Sequence, residues 1–444
     1  MYAPEIEAYL QKCGISEGDK VVLKSHKGTF EGVLLPRYEI GDGSVIVLKL
    51  DNGYNIGIRF DNGCSIDKVS SARVEFSFPK AGVRNNPDLP KVSMVYTGGT
   101  IGSKVDYVTG GVYMLKRPEE LLYEVPELAG IANIEVNNLM SISSEDMTYK
   151  EWRDIADAAA DALNDGAHGV VITHGTDTMH YTSAALSFML KGLDAPVVLT
   201  GAQRSSDRGS SDGFMNLSAA FRIAAMGSIA EVGICMHETS SDTSCIMIRG
   251  TKARKMHTSR RDAFRPVNSR PIARVYSSGS VEVSQEARTG SGSPGKVSVL
   301  SAFEPMVAIV KAFPNSDPGI LEHYCSLGYK GIIIEGTGLG HVPTSPSISS
   351  NSWIGEIRKA VESGVVVGVT SQCVFGRVNS MVYRNLRLLA AAGAIHCEDM
   401  TTETAYVKLG WLLGNYGAEK ATGMLSVDIA GEISSRTPYL QRFD

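Results

Sequence analysis

The chain has 444 residues, of which 43% are apolar and 20% charged, enough for two or three domains with real cores and ordinary for a globular protein in water. A net charge of −5 excludes a uniformly basic nucleic-acid binder, and no apolar run approaches the roughly 20 residues needed to span a bilayer. Cys13, Cys64, Cys235, Cys245, Cys325, Cys373 and Cys397 form no C-x-x-C pair, so they read as reduced thiols of a cytoplasmic protein, not as a disulfide framework or a zinc site.

In chain order, residues 4–13 predict a short helix stopped by Gly14. The runs 20–24, 30–35, 44–50 and 54–60 then read as short strands. Asn52-Gly53 and Asn62-Gly63 punctuate them, and such dipeptides supply the positive φ that tight hairpins need. With 73–78 as the closing strand, residues 1–78 predict a small β-barrel. Residues 79–91 form a linker, marked by Pro79, Pro87 and Pro90 and by the absence of any periodicity.

From residue 92 the pattern changes to alternating strands and helices. The strands 92–96, 169–173, 196–200 and 232–236 are rich in Val and Ile and fully apolar, as a sheet covered on both faces requires. Between them 151–164 is an amphipathic helix, and a second helix follows at 178–191. Residues 277–295 are rich in Ser and Gly and predict a loop or flexible hairpin. A further α/β unit has strands at 306–312, 331–335 and 365–370 and helices at 319–327, 353–363 and 384–393. The fold class is therefore α/β, with a parallel-sheet core in two domains, 92–295 and 296–444, behind a small all-β leader. No internal repeat is visible.

Two of these strands end in glycine- and threonine-rich turns, Thr97-Gly98-Gly99-Thr100 and Thr173-His174-Gly175-Thr176-Asp177-Thr178. Ligands of open α/β sheets bind at the carboxyl ends of the strands, and glycine there lets backbone N–H groups come close. A threonine hydroxyl is a poor nucleophile until a base takes its proton. Asp177 is adjacent but weak for that task, whereas a lysine held neutral serves better, and Lys255 is the candidate. Its alternative is a solvated basic run with Lys252, Arg254, Arg260 and Arg261. Ser144-Glu145-Asp146 suits an amino-acid clamp, the hydroxyl meeting an α-carboxylate and the acid an α-ammonium; a helix N-cap explains the same residues equally well. Gly336-Thr337-Gly338-Leu339-Gly340 lacks the third glycine of a dinucleotide fingerprint. There is no phosphate-loop motif, so any ATP chemistry belongs to another chain, and the nine histidines show no metal-ligand spacing.

Gly98-Gly-Thr-Ile101, Thr173–Thr178 and Lys255-Met-His-Thr258, in that order, resemble the bacterial-type L-asparaginase/glutaminase family over roughly residues 90–440. The resemblance implies a two-domain hydrolase that splits a side-chain amide through a threonine acyl-enzyme. Thr100 would attack, and Thr176, Asp177 and Lys255 would form the second catalytic group. Gly99, Ser144 and Glu145 would line the substrate site, with 102–113 a mobile lid carrying Tyr113. One departure stands out. Secreted members add a glutamate from the smaller domain, but residues 365–396 contain no Asp or Glu, leaving Tyr383 as a weak substitute.

The leader, with Glu31-Gly-Val-Leu-Leu-Pro36 and the stretch from Leu48 to Ile58, and Thr258-Ser-Arg-Arg-Asp-Ala-Phe264 resemble the glutaminase subunits of the archaeal glutamyl-tRNA(Gln) amidotransferases. That implies hydrolysis of glutamine, or asparagine, to supply ammonia. The partner would be the E-type subunit of such an enzyme, using ATP and Mg on its own chain, with Glu-tRNA(Gln) bound mainly through it. The assembly would be a heterotetramer built on a dimer of this chain. Three rivals remain at this point: a free-standing asparaginase, an amino-acid sensor without turnover, and a leader that binds RNA itself.

Overall fold

The computed structural model describes residues 2–35, 42–51, 54–71, 86–105, 112–114, 125–205, 210–290 and 296–436. By internal contacts the chain divides into two compact units, one built on the leader and one holding nearly all the rest. In the leader, helix α1 (Pro4–Lys12) precedes β1 (Lys20–Ser25), β2 (Gly28–Leu34), β3 (Val45–Leu50), β4 (Asn55–Arg59) and β5 (Ser65–Ser70). All pairings are antiparallel, in the order β4-β3-β2-β1-β5. Val21, Leu23, Leu34, Ile46, Leu48 and Ile66 alternate inward and cover Ile6 and Leu10 of α1. The unit is thus an antiparallel sheet, and among the described residues no ladder joins its edge strands β4 and β5. Residues 73–78, the expected closing strand, lie outside the described residues; β5 is the strand that flanks β1.

The second unit opens with β6 (Lys91–Tyr96), the hairpin β7 (Ser103–Val105) and β8 (Val112–Met114), and β9 (Asn133–Asn138). Helix α2 (Tyr149–Asn164) follows, started by Thr148, whose backbone N–H donates to Glu151 while its side chain caps the first turn. Then come β10 (Gly169–Thr173), α3 (Met179–Met189), β11 (Leu190–Lys191), β12 (Val197–Thr200), α4 (Gly213–Met226), β13 (Val232–His237) and β14 (Ser244–Arg249). After them lie β15 (Ala253–Lys255), β16 (Phe264–Pro266), β17 (Ala273–Tyr276), β18 (Val281–Val283) and β19 (Ser298–Val299). The main sheet has eight strands in the order β18-β17-β14-β13-β12-β10-β6-β9. Its β9-β6-β10-β12-β13 portion is parallel, and the rest is antiparallel. The chain leaves β6 for β9 on one side and then crosses to β10 on the other. The ends of β6 and β10 therefore form the topological switch point, where open sheets part and ligands enter.

The smaller part holds β20 (Val307–Lys311), α5 (Gly319–Ser326), β21 (Gly331–Gly336), α6 (Trp353–Glu362), β22 (Val366–Ser371), α7 (Arg384–Ala391), β23 (Ile395–His396) and α8 (Thr402–Met424). Its strands form a parallel four-stranded sheet. Helix α8 packs on α3 of the larger part, with Phe188 and Trp411 stacked at 5.6 Å, so one apolar core runs through both. Charged pairs are buried within this core. Lys252 meets Asp399 at 2.7 Å and Lys408 meets Glu432 at 2.7 Å, with all four side chains 0% exposed. Among the described residues no helix is long and apolar enough to cross a membrane.

Candidate active site

The two turns at the switch point are tied to each other. Thr97 donates to the carbonyl of Thr173 from its backbone N–H at 3.3 Å and from its hydroxyl at 2.7 Å. After Thr97 the backbone enters the left-handed region at Gly98 (φ 103°) and Gly99 (φ 89°), which glycine alone adopts freely. A Cβ added at Gly99 would lie 2.6 Å from the Gly175 nitrogen, so the two strand ends touch through bare backbone. Thr100 is the next residue and opens a single 3-10 turn, Thr100–Gly102.

The second turn is built around His174, fully buried, whose Nδ1 lies 2.6 Å from the Gly175 carbonyl and whose Nε2 lies 2.9 Å from the Thr182 hydroxyl. A carbonyl only accepts, so Nδ1 carries the proton and Nε2 accepts from Thr182. Burial pushes the His174 imidazole down to about 4, and burial together with the Arg254 and Lys255 cations does the same for His180. Both folded values lie below the usual 6.5, so the unfolded chain binds the extra protons between these limits. Stability is expected to be full above about pH 6.5 and to fall as pH drops toward 4, by about 2 kcal/mol per histidine at pH 5. The urea midpoint at pH 7 and pH 5 checks this, and an unchanged midpoint would contradict it.

Thr176 and Asp177 follow at the start of α3, and β15 brings Lys255 to them. The Lys255 ammonium donates to the Thr176 hydroxyl oxygen at 2.8 Å and to the Asp177 carboxylate at 2.7 Å. The lysine is 10% exposed and the carboxylate 67%, so the pair has one dry end and one end open to an incoming molecule. Lys255 is therefore largely buried and paired to two side chains, not a residue of a solvated basic run.

Ser144 is 2% exposed, and its backbone carbonyl accepts from the Thr178 hydroxyl at 2.6 Å. A Cβ at Gly175 would come within 2.8 Å of the Ser144 hydroxyl. Ser143, at the cap position of the short 3-10 turn Ser144–Asp146, makes no side-chain cap bond. Glu145 is exposed beside Ser144. Tyr113 pairs through β8 with Lys104 of β7, and the lid residues 106–111 between these strands lie outside the described residues. Tyr383 is not brought to the threonines by any contact; it is 55% exposed and its ring lies 5.3 Å from that of His341.

Sequence reasoning missed Thr178, whose hydroxyl fastens the Ser144 turn to the Thr176 turn, and missed the neutral His174 beneath both. The Thr-Asp-Thr triplet was the available signal for the former. Among the described residues no group of three His, Cys, Asp or Glu side chains is arranged to hold a metal.

A threonine pair on adjoining strand ends, with a lysine–aspartate couple beside one of them, has the parts for hydroxyl-based nucleophilic chemistry. The family comparisons are more specific. Residues 91–289 match the amino-terminal asparaginase family, 306–422 the glutaminase/asparaginase carboxyl-terminal domain, and 15–69 the GatD N-terminal domain. The thermostable L-asparaginase of Thermococcus kodakarensis is similar in structure at a TM-score of 0.68 and 30% identity, covering 78% of this chain and 100% of its own. L-asparaginase I of Vibrio cholerae gives 0.67 and 29%, covering 78% and 99%. Over its whole length the chain is similar to the D-type subunit of the glutamyl-tRNA(Gln) amidotransferase of Pyrococcus furiosus, 48% identical over 441 residues with 98% of each chain covered. The corresponding protein of Thermococcus kodakarensis is also 48% identical, over 447 residues, covering 99% and 98%. The chain belongs to this family of D-type glutamyl-tRNA(Gln) amidotransferase subunits, built on the asparaginase fold.

Proposed function

We propose that the chain is the glutaminase half of a cytoplasmic, tRNA-dependent amidotransferase. It hydrolyses the side-chain amide of glutamine, or of asparagine, and passes the ammonia to a partner, the E-type subunit, that converts Glu-tRNA(Gln) to Gln-tRNA(Gln). ATP and Mg serve the partner, which also makes the main contact with tRNA, and two copies of each chain form the heterotetramer.

The observation that carries this reading is the Lys255 ammonium shared between Thr176 and Asp177 at 2.8 and 2.7 Å beside the Gly99-Thr100 turn. The Thr100 oxygen attacks the amide carbon, and the backbone N–H groups at Gly98 and Gly99 suit the oxyanion that forms. The hydroxyl proton goes to the departing nitrogen, which leaves as ammonia, and an ester to Thr100 remains. Water then attacks the ester, glutamate leaves, and Thr100 regains its proton. Lys255, held by Asp177, shuttles protons through the Thr176 hydroxyl in both halves. Ser144 and Asp177 meet the substrate α-carboxylate and α-ammonium, with Gly99, Glu145 and Tyr113 as further substrate-binding residues.

The test is ammonia release from glutamine and asparagine, first by the chain alone and then with the E-type partner and Glu-tRNA(Gln). Weak release that rises with the additions is expected. Fast release indifferent to them would instead identify a free-standing asparaginase with an accessory domain.

A further inference from the structure

Strand β15 serves two masters. Side chains alternate along a strand, so Arg254 and Lys255 of β15 point to opposite faces, and Lys252, in the turn just before β15, reaches the same neighbouring segment as Arg254. Lys255 reaches Thr176 and Asp177. The other face is fastened to one short segment of the smaller part, the turn that leads into α8. Lys252 meets the Asp399 carboxylate at 2.7 Å, both fully buried, and Arg254 meets Glu403 at 3.2 Å. The backbone adds to this grip. Thr404 donates its hydroxyl to the Thr251 carbonyl at 3.0 Å, and the Asn268 amide donates to the Asp399 carbonyl at 3.0 Å and to that of Gly376 at 2.8 Å. The open end of the β15–β16 hairpin is thus held on both strands, through Thr251 and Lys252 before β15 and Asn268 after β16.

We propose that the 399–403 turn of the smaller part positions Lys255, acting through Asp399–Lys252 just before β15 and Glu403–Arg254 on its opposite face, so that Arg254 and Glu403 are positioning residues for amide hydrolysis. The inference rests on the amide-hydrolysis reading for its kinetic consequence, though not for its geometry. A strand of three residues paired only to its hairpin mate has little stiffness of its own. A lysine bonded to two partners within 2.8 Å loses one of them if its strand rotates or slides by a fraction of a residue. Glu403 is placed to prevent that rotation, being 11% exposed and fixed at the amino end of α8.

The test uses the full chain and the variants Arg254→Met, Glu403→Gln, their double, and Arg254→Lys. For glutamine hydrolysis each single change is expected to lower kcat roughly 10- to 100-fold with KM within about twofold, a displaced lysine rather than lost substrate contacts. The double variant is expected to be no slower than the slower single one, since both break one coupling. Arg254→Lys, which keeps the charge, is expected to restore most of the rate. Effects that multiply in the double variant, or a kcat unchanged in both singles, would overturn the inference. A crystal structure of Arg254→Met, with Glu403→Gln as the alternative, reads the lysine directly. Displacement of its ammonium beyond about 3.5 Å from the Thr176 hydroxyl is expected, and intact bonds to both partners would refute it. That readout needs no turnover. A parent chain that releases no ammonia under any condition would sink the amide-hydrolysis reading while leaving the positioning role to the crystal structure.

Discussion

Lys255→Met is expected to lower glutamine-dependent amide transfer by about 10³-fold or more while leaving ammonium-dependent transfer by the complete enzyme near normal. Removing a positioned proton carrier costs roughly 10²–10⁴-fold, and this lysine also supplies the cation that orients Asp177. Thr176→Ala is expected to match it, because in the proposed reaction the Thr176 hydroxyl, 2.8 Å from the Lys255 ammonium, relays the proton. Residues acting as a unit are not additive, so the double variant is expected to be little worse than either single one. Steady-state ammonia release and amide transfer, each with glutamine and with ammonium chloride, make the comparison. Loss of both glutamine- and ammonium-dependent transfer would place the damage in folding or assembly instead.

Glu432→Ala is expected to be the most destabilising single change in the smaller part. Glu432 lies 2.7 Å from Lys408 with neither side chain exposed, and it also accepts from the backbone N–H groups of Ile429 and Ala430 at 2.9 and 2.6 Å. Without it the lysine keeps two carbonyl partners, Leu425 and Val427, but no buried negative charge. Breaking one side of such a pair costs about 3–5 kcal/mol, whereas replacing both members with apolar residues of similar volume is often neutral. Here Lys408→Met with Glu432→Leu is expected to recover only part of the loss, because it removes the unpaired charge but strands the Ile429 and Ala430 N–H groups and the Leu425 and Val427 carbonyls. Thermal and urea midpoints of the parent and the two variants decide it. A Glu432→Ala chain as stable as the parent would show that the lysine finds another partner.

Most of the parallel core is legible in the sequence because β6, β10, β12 and β13 are short Val- and Ile-rich runs, and the two turns because β6 and β10 run into glycine and threonine; β9, with Asn133, Glu135, Asn137 and Asn138, carries no such signal. Strand β5 is not legible either, since only Ile66 of its six residues is buried and no alternation marks it. Helix α8 escapes notice for the opposite reason. It is buried over so much of its surface that no polar stripe sets its period, and Gly410, Gly414 and Gly417 lower its intrinsic helix propensity. The Ser/Gly-rich stretch from 277 predicts a loop or flexible hairpin, and its start is the turn between β17 and β18. The link from Lys252 to Asp399 spans 147 residues and follows from tertiary packing, with no local pattern at either end to announce it.

The bare backbone where the strand ends meet limits how this pocket can diversify. A side chain at Gly99 would strike Gly175, one at Gly175 would strike Ser144, and one at Gly201 would come within 2.6 Å of the His174 carbonyl. Three neighbouring positions are thus closed to every residue larger than glycine, and no single exchange there can open another. Under the proposed reaction, a changed amide preference has to come from side chains at positions other than these three.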